Sequence, residues 1–568
     1  MSLSLLALLA VAPIVLAAVL LVGFRVPARV AMPLVFLAAA AIAFFVWGMT
    51  PAQIFAATAQ GWVITFDLVY IIFGAILLLK TLENSSAIHV IKDGFSKISP
   101  DRRIQVVIIV WTFGSFIEGA SGFGTPAAVV APLMVALRFP AMAAVMLGMM
   151  VQSTPVTFGA AGTPVLVGVA DGLESPEMLA RVAASGLDYD AYVRLVAVIA
   201  ASLHAIIGIL MPLFMIVMMT RFFGARKSWT EGLSAAPFAI FGGLAFVIPY
   251  WIYANVLGPA FPSLLGGLTG LIIVTLAARA GFLVPKDTWD FPEETSWPAD
   301  WIGKIKVETD GVGKPGMSLM LAWVPYALVA VFLVLTRLPQ FGIGDLLRSA
   351  AVTVSFPNIL GTGISGSTTP LYLPGTIFVV VVLLTAVIHR MTLKELGGAF
   401  KSAGGLLLGA GFVLIFTVPM VRIYINSAVN EAGLPSMPIA MAEWVAGNVG
   451  GVWPAFAGAV GGFGAFIAGS NTVSNLMFVA FQHGVADALM ISGALVVALQ
   501  AVGAAAGNMV AIHNVVAASA TVGYLGKEGA ILRKTIIPTV YYLVALGILG
   551  LIAQYVIGYQ GPLGPPTP

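Results

Sequence analysis

Apolar runs about as long as a bilayer is thick recur along the whole of this chain. They lie near residues 3–23, 31–49, 62–80, 195–220, 236–254, 264–280, 319–336, 371–389, 402–424 and 535–558. Roughly 20 helical residues span a hydrocarbon core of about 30 Å, so each run is a candidate crossing. Of the 568 residues, 60% are hydrophobic and 9% charged. A water-soluble fold cannot hide that much apolar surface. These features predict an all-α polytopic membrane protein of about 12 transmembrane helices, with the lipid bilayer as its first partner. The first run, Leu3–Val22, has no basic residue ahead of it and no small-residue cleavage site, and reads as a crossing rather than a cleaved signal.

Basic residues gather at Arg25/Arg29, Lys80–Arg103, Arg221/Arg226/Lys227, Arg279–Lys314, Arg390/Lys394/Lys401 and Lys527/Arg533/Lys534. By contrast, Asn426–Gly450 has no Lys or Arg, and Asp171–Asp190 sets five acids against Arg181. The positive-inside bias then places the clustered loops in the cytoplasm and both termini outside, in a bacterial-type cytoplasmic membrane.

Two regions, 104–170 and 451–523, are apolar yet interrupted by glycine, proline, serine and asparagine. The charge assignment is satisfied if 104–138 is a re-entrant hairpin entering from the cytoplasm and 451–487 its mirror from outside, each followed by an interrupted crossing. "FGSFIEG", Phe113–Gly119, is echoed by "FGAFIAG", Phe463–Gly469. The expected organisation is a pair of inverted-topology repeats, 1–230 and 318–568, joined by linker helices and a cytoplasmic loop, 231–317. Inverted repeats with helices broken near the midplane are typical of secondary transporters.

The first break reads "FIEGASGFGTPAA", Phe116–Ala128. A helix that starts inside the membrane presents unpaired N–H groups and the positive end of its dipole, which suits an anion without any lysine or arginine. Gly119, Ser121, Gly122, Gly124 and Thr125 in this tip, and Ser470, Asn471, Thr472, Ser474 and Asn475 in the second, are candidate substrate ligands. Small and hydroxyl residues also serve plain helix packing in membranes. The interrupted crossings add Gln152, Thr163, Gln500 and Asn508, with Thr154 and Asn514 nearby. Glu118 is the foremost proton-coupling candidate, because a carboxylate in hydrocarbon is costly and must face the bundle interior. Asp67 and His513 follow it, and Arg422 reads as an interfacial, snorkelling arginine.

Other chemistries lack their signatures. There is no cysteine and no glycine loop ending in Gly-Lys-Ser/Thr, and His89, His204, His389, His483 and His513 do not form an HExxH pattern. No cofactor, metal or nucleic-acid partner is expected, and an enzyme is disfavoured. The longest loop, Ala280–Met317 with its "DFPEETSWPADW", reads as a connector.

Four ordered motifs carry a family resemblance. "GASGFGTPAAV" (Gly119–Val129), "QSTPVTFGAAGTPV" (Gln152–Val165), "AGSNTVSNLMFVAFQ" (Ala468–Gln482) and "GNMVAIHNVVAASATVGYLGKEGAILRKTI" (Gly507–Ile536) resemble the signatures of the L-lactate permease family. The resemblance runs along nearly the whole chain and implies uptake of lactate, glycolate and related 2-hydroxy-monocarboxylates with protons. Where the family typically has an acid in "GSDT" this chain has Asn471, and where it typically has lysine in "GKM" it has Asn508. The expectation is therefore a proton-coupled carrier of small organic anions working by alternating access. The alternatives are sodium coupling, another organic anion or, from a different class, an anion channel.

Overall fold

The computed structural model describes residues 1–24, 26–96, 98–303 and 317–563. Arg25, and the part of the long loop that contains Lys314, lie outside the described residues. Most of the described residues are helical. Its first part comprises α1 (Leu3–Ala18), α2 (Ala28–Phe45), α3 (Pro51–Asn84) and a short α4 (Ala87–Ser96). Next come α5 (Arg102–Ser121), α6 (Thr125–Ala136), α7 (Ala141–Met150) and α8 (Val156–Leu173). They are followed by α9 (Pro176–Ala184), α10 (Tyr189–Phe223), α11 (Ala236–Val256) and α12 (Pro262–Arg279).

Beyond the long loop lie α13 (Leu319–Arg337), a small hairpin of β1 (Val354–Phe356) and β2 (Gly366–Thr368), α14 (Pro374–Ile388) and α15 (Leu393–Asn426). Then follow α16 (Met437–Val449), α17 (Pro454–Ala468), α18 (Asn471–Ala488), α19 (Gly493–Gly507), α20 (Ile512–Thr521) and α21 (Glu528–Leu551). Among the described residues, 11 helices are long and apolar enough to cross a membrane.

Several helices extend beyond the apolar runs that announce them, because their caps are polar. Thr50 and Gln53 form a capping box that starts α3 well ahead of residue 62, and Thr392 and Glu395 do the same for α15. Both helices have 34 residues, about 51 Å at 1.5 Å per residue. They pack along one another closely enough that a Cβ on Gly61 would lie 2.4 Å from the Pro419 Cα.

Burial sorts the helices into layers. The apolar windows of α1, α2 and α13 are only 33%, 28% and 28% buried, so these rods form the rim, with Leu34, Leu37 and Phe45 turned outward. The windows of α5 and of Gly493–Val510 are 100% buried, so the broken elements occupy the centre. Close approach there depends on glycine. A Cβ on Gly503 would fall 1.9 Å from the Gly458 carbonyl oxygen, and one on Gly507 would fall 2.2 Å from that of Gly462. Two small-xxx-small pairs thus bring α17 and α19 into backbone contact.

The expected connector is tied to the bundle. Arg103, fully buried, pairs with Asp101 at 2.6 Å and Asp287 at 3.0 Å and donates to the Asp287 carbonyl at 2.7 Å. Slight burial raises the Asp287 carboxyl, but the hydrogen bond and charge of Arg103 outweigh it and hold the group below its ordinary value. Phe291 stacks edge-on against Phe139, and Trp301 against Phe223, which fastens the loop to the ends of α6 and α10.

The glycine contacts predict opposite outcomes for one substitution at two sites. Gly503→Ala overpacks the α17–α19 contact and should cost about 1–3 kcal/mol. Gly397→Ala, where an added Cβ meets nothing within 4 Å, should be neutral or stabilising by about 0.5–1 kcal/mol. Thermal unfolding of the purified protein in detergent would show a melting point lowered by Gly503→Ala alone.

Candidate substrate site

Four interruptions of helical backbone meet at the centre of the bundle. The first lies between α5 and α6, where Gly122, Phe123 and Gly124 take φ of +61°, +52° and +77°. Three consecutive left-handed residues reverse the chain, and Pro126 then occupies the first turn of α6, where its missing N–H costs nothing. The second interruption is inside α8, where Ala160, Ala161 and Gly162 have φ of 43°, 53° and 82°. A left-handed alanine costs roughly 1–2 kcal/mol and persists only where surrounding packing imposes it. Here Gly122 packs so tightly on Ala160 that a Cβ on the glycine would lie 2.8 Å from the alanine's. The third is Gly469 at φ +70°, followed by Ser470, whose hydroxyl caps the Val473 N–H at the start of α18. The fourth is the turn Asn508–Val510 that ends α19.

These breaks wall a small cavity. Glu118, Gly122, Phe123 and Gly124 come from the first tip, and Gln152, Val156, Gly159, Ala160 and Pro164 from the α7–α8 break and α8. Gly469, Ser470, Asn471 and Thr472 come from the second tip, and Asn508 from the end of α19. Gly124, just ahead of α6, and Asn471 and Thr472, at the start of α18, line this space, so the positive ends of two helix dipoles lie beside it. Lys, Arg and His are absent from its wall, and Glu118, 1% exposed, is its sole ionisable residue.

The polar wall is held by a specific network. Gln152 Nε2 donates to Glu118 Oε2 at 3.3 Å. Residue 159 must be glycine for the carboxyl to sit where it does, since a Cβ there would lie 2.3 Å from Glu118 Oε1. Asn471 Nδ2 donates to Thr157 Oγ1 at 3.4 Å and to the Ala501 carbonyl at 3.2 Å, and its Oδ1 accepts from Asn475 Nδ2 at 2.8 Å. Asn508 Oδ1 accepts from Asn514 Nδ2 at 3.4 Å, and Asn514 Oδ1 lies against Gly124.

Of the residues singled out from sequence, Glu118, Gly122, Gly124, Gln152, Ser470, Asn471, Thr472 and Asn508 thus share one wall. The others are placed elsewhere. Gly119 packs on α12, with a would-be Cβ 2.2 Å from the Leu264 nitrogen. Ser121 and Thr125 are buried within the first tip but off the wall. Thr163 donates back to the Ala160 carbonyl at 2.6 Å. Ser474 donates to the Gly461 carbonyl at 2.8 Å and accepts from Gln500 Nε2 at 3.1 Å, so both staple α17, α18 and α19 together. Asn475 also donates to the Pro164 carbonyl at 3.0 Å, tying α18 to α8.

His513 is exposed on α20 and lines a separate, mostly apolar cavity that shares Phe123, Gly469, Ser470 and Thr472 with the central one. Asp67 accepts a hydrogen bond from Thr368 and faces a third cavity with Gln60, Asp171, Glu174 and Arg422, roofed by the β-hairpin. Arg422 does not snorkel. It is 2% exposed, donates to Gln60 Oε1 at 2.8 Å and holds the Asp171 carbonyl at 2.7 Å. Sequence reasoning did not single out Phe123, Val156, Gly159, Ala160 or Pro164. The "GAAG" run at Gly159–Gly162 was the available signal for two of them, Gly159 and Ala160.

A helical, many-span membrane protein whose broken helices enclose a small polar cavity at its centre is the class that fold and site together define. Within that class, the chain belongs to the L-lactate permease family, whose sequence profile matches residues 6–557. A putative L-lactate permease of Haemophilus influenzae is 31% identical over 85% of this chain and 87% of its own length. A glycolate permease of Escherichia coli (strain K12) is 26% identical over 97% of this chain and 96% of its own. An L-lactate permease of the same organism is 24% identical over 92% and 91%.

The Glu118–Gln152 contact yields a stability test. Glu118→Ala leaves the buried Gln152 amide without its acceptor and should destabilise the protein by about 1–3 kcal/mol. Glu118→Gln keeps an acceptor oxygen and should unfold near the wild-type temperature. Melting curves of the two variants would check this; equal melting points would mean that the contact carries no stability.

Proposed function

We propose that this chain is a secondary active transporter that takes up small 2-hydroxy-monocarboxylates, L-lactate and glycolate among them, together with a proton by alternating access. The observation that carries this reading is the convergence of the starts of two helices, α6 and α18, on one central cavity whose sole ionisable wall residue is Glu118. An anion there is stabilised by N–H groups and dipoles. Glu118 has no ion pair among the described residues, so a proton on its carboxyl removes a charge that nothing beside it neutralises. The relatives' names, lactate and glycolate permeases, support the substrate class.

The transport cycle we envisage uses two inverted repeats, 1–230 and 318–568, with hairpins 104–138 and 451–487 entering from the cytoplasm and from outside. Supporting it, α3 and α15 have equal length and like caps. Each is followed by a short helix and then by two helices joined through left-handed glycine. Both termini lie outside a bacterial-type cytoplasmic membrane in this reading, as the basic clusters require.

The test is accumulation of lactate and glycolate in proteoliposomes under an imposed proton gradient, with and without an uncoupler. Wild type should accumulate substrate in an uncoupler-sensitive way, whereas Glu118→Gln should exchange substrate without accumulating it. Accumulation that follows sodium at fixed pH would favour the sodium-coupled alternative. Electrogenic flux without accumulation would make the protein a channel.

Asn471 and Asn508 give a second test, because both line the same cavity. Asn471→Asp alone sets a carboxylate against the Ala501 carbonyl that now receives an N–H, and uptake should fall about tenfold or more. Adding Asn508→Lys should restore most of it by supplying the missing cation. Uptake that is unchanged in either single variant would rule out any such exchange of an ion pair for two amides.

A further inference from the structure

His204, on α10, lies behind the cavity wall, fully buried and away from solvent. Its Nε2 is 2.8 Å from Thr157 Oγ1, and its Nδ1 is hydrogen-bonded to the Tyr542 hydroxyl. Tyr542 Oη in turn lies 3.0 Å from Thr154 Oγ1. Thr157 connects this series to the wall, because it also accepts from Asn471 Nδ2.

Proton counting gives the series a direction. Thr157 has one hydroxyl proton, and the Ala501 carbonyl 3.2 Å away can only accept it. With the Thr157 proton on that carbonyl, His204 Nε2 donates to Thr157, whose oxygen has lone pairs for it and for Asn471. A neutral imidazole has a single N–H, so Nδ1 accepts, Tyr542 donates to it and Thr154 donates to Tyr542. In the reverse direction the Thr154 hydroxyl proton has no acceptor among the hydrogen bonds of the described residues. One direction satisfies every group, as a buried network requires.

From this geometry we infer that His204 is a positioning residue for the substrate site. As its Nε2–H tautomer it fixes the Thr157 hydroxyl, and through it the Asn471 carboxamide at the N-terminus of α18. The inference rests on the proposed function only in taking the cavity at Asn471 as the substrate site. The neighbouring rings of Tyr250 and Tyr542, with centroids 6.1 and 5.7 Å from the imidazole, hold it in place.

Two measurements test it. The ¹⁵N spectrum of histidine-labelled protein, assigned by loss of the signal in His204→Gln, should show a neutral ring protonated at Nε2. In lactate uptake, His204→Phe and Thr157→Val should each raise KM about tenfold, the worth of one lost hydrogen bond. Vmax per folded protein should stay near wild type. The double variant should be no worse than either single one, because both cut the same path. His204→Gln, which can still donate to Thr157, should recover most of the affinity. A ring protonated at Nδ1, multiplicative KM effects, or a loss confined to the amount of folded protein would overturn the assignment of His204 alone. A wild type that takes up neither lactate nor glycolate would overturn the proposed function, and with it a positioning role for that substrate.

Discussion

The backbone's need for hydrogen bonds governs this architecture more than any side chain does. In hydrocarbon an unpaired N–H or carbonyl has no water to turn to, so a helix can break at membrane depth only where protein encloses the break. The interruptions at Gly122–Gly124, Ala160–Gly162, Gly469 and Asn508 are therefore gathered at the centre, and the uninterrupted rods stand around them. Enclosure at that density leaves no room for side chains between α17 and α19, which is why Gly458, Gly462, Gly503 and Gly507 face one another. The same requirement makes the site possible, since the N–H groups freed by the breaks are what a helix interior never offers to a ligand.

How much of this the sequence discloses depends on whether a property is local. Apolar run length is local, and it marks the helices; glycine and proline interruptions are local, and they mark the breaks. Facing is not local. On α18, Asn471 and Thr472 look into the cavity while Ser474 and Asn475, a turn later, are spent on the Gly461 and Pro164 carbonyls. Only the partners at those distant positions decide which serine or asparagine is wall and which is staple.

Phe123 and Ala160 show a second limit. Residues with a Cβ are poor guides to a left-handed turn, and here neighbouring glycines and packing impose that conformation on them. His204 is one of five histidines without any spacing pattern, and its partners Thr157 and Tyr542 stand 47 and 338 residues away.

The hydrogen bonds around Asn471 decide which groups of so neutral a cavity are left to hold an anion. Both Nδ2 protons of Asn471 go to protein acceptors, and both of Asn475 go to Asn471 and Pro164. These amides thus have no donor left for a ligand. Their work is to fix the first turn of α18, whose Asn471 and Thr472 line the cavity together with Gly122–Gly124 of the first tip. On the proposed function, a carboxylate would be held by backbone and dipole, with side chains setting the shape of the cradle. A site built in that way has no need of a lysine or arginine, and it avoids the cost of a buried cation standing alone once substrate departs. In that proposal Glu118 is the group that carries the proton as the cavity empties and fills, and its neighbours are consistent with it: one amide, one glycine and no fixed positive charge.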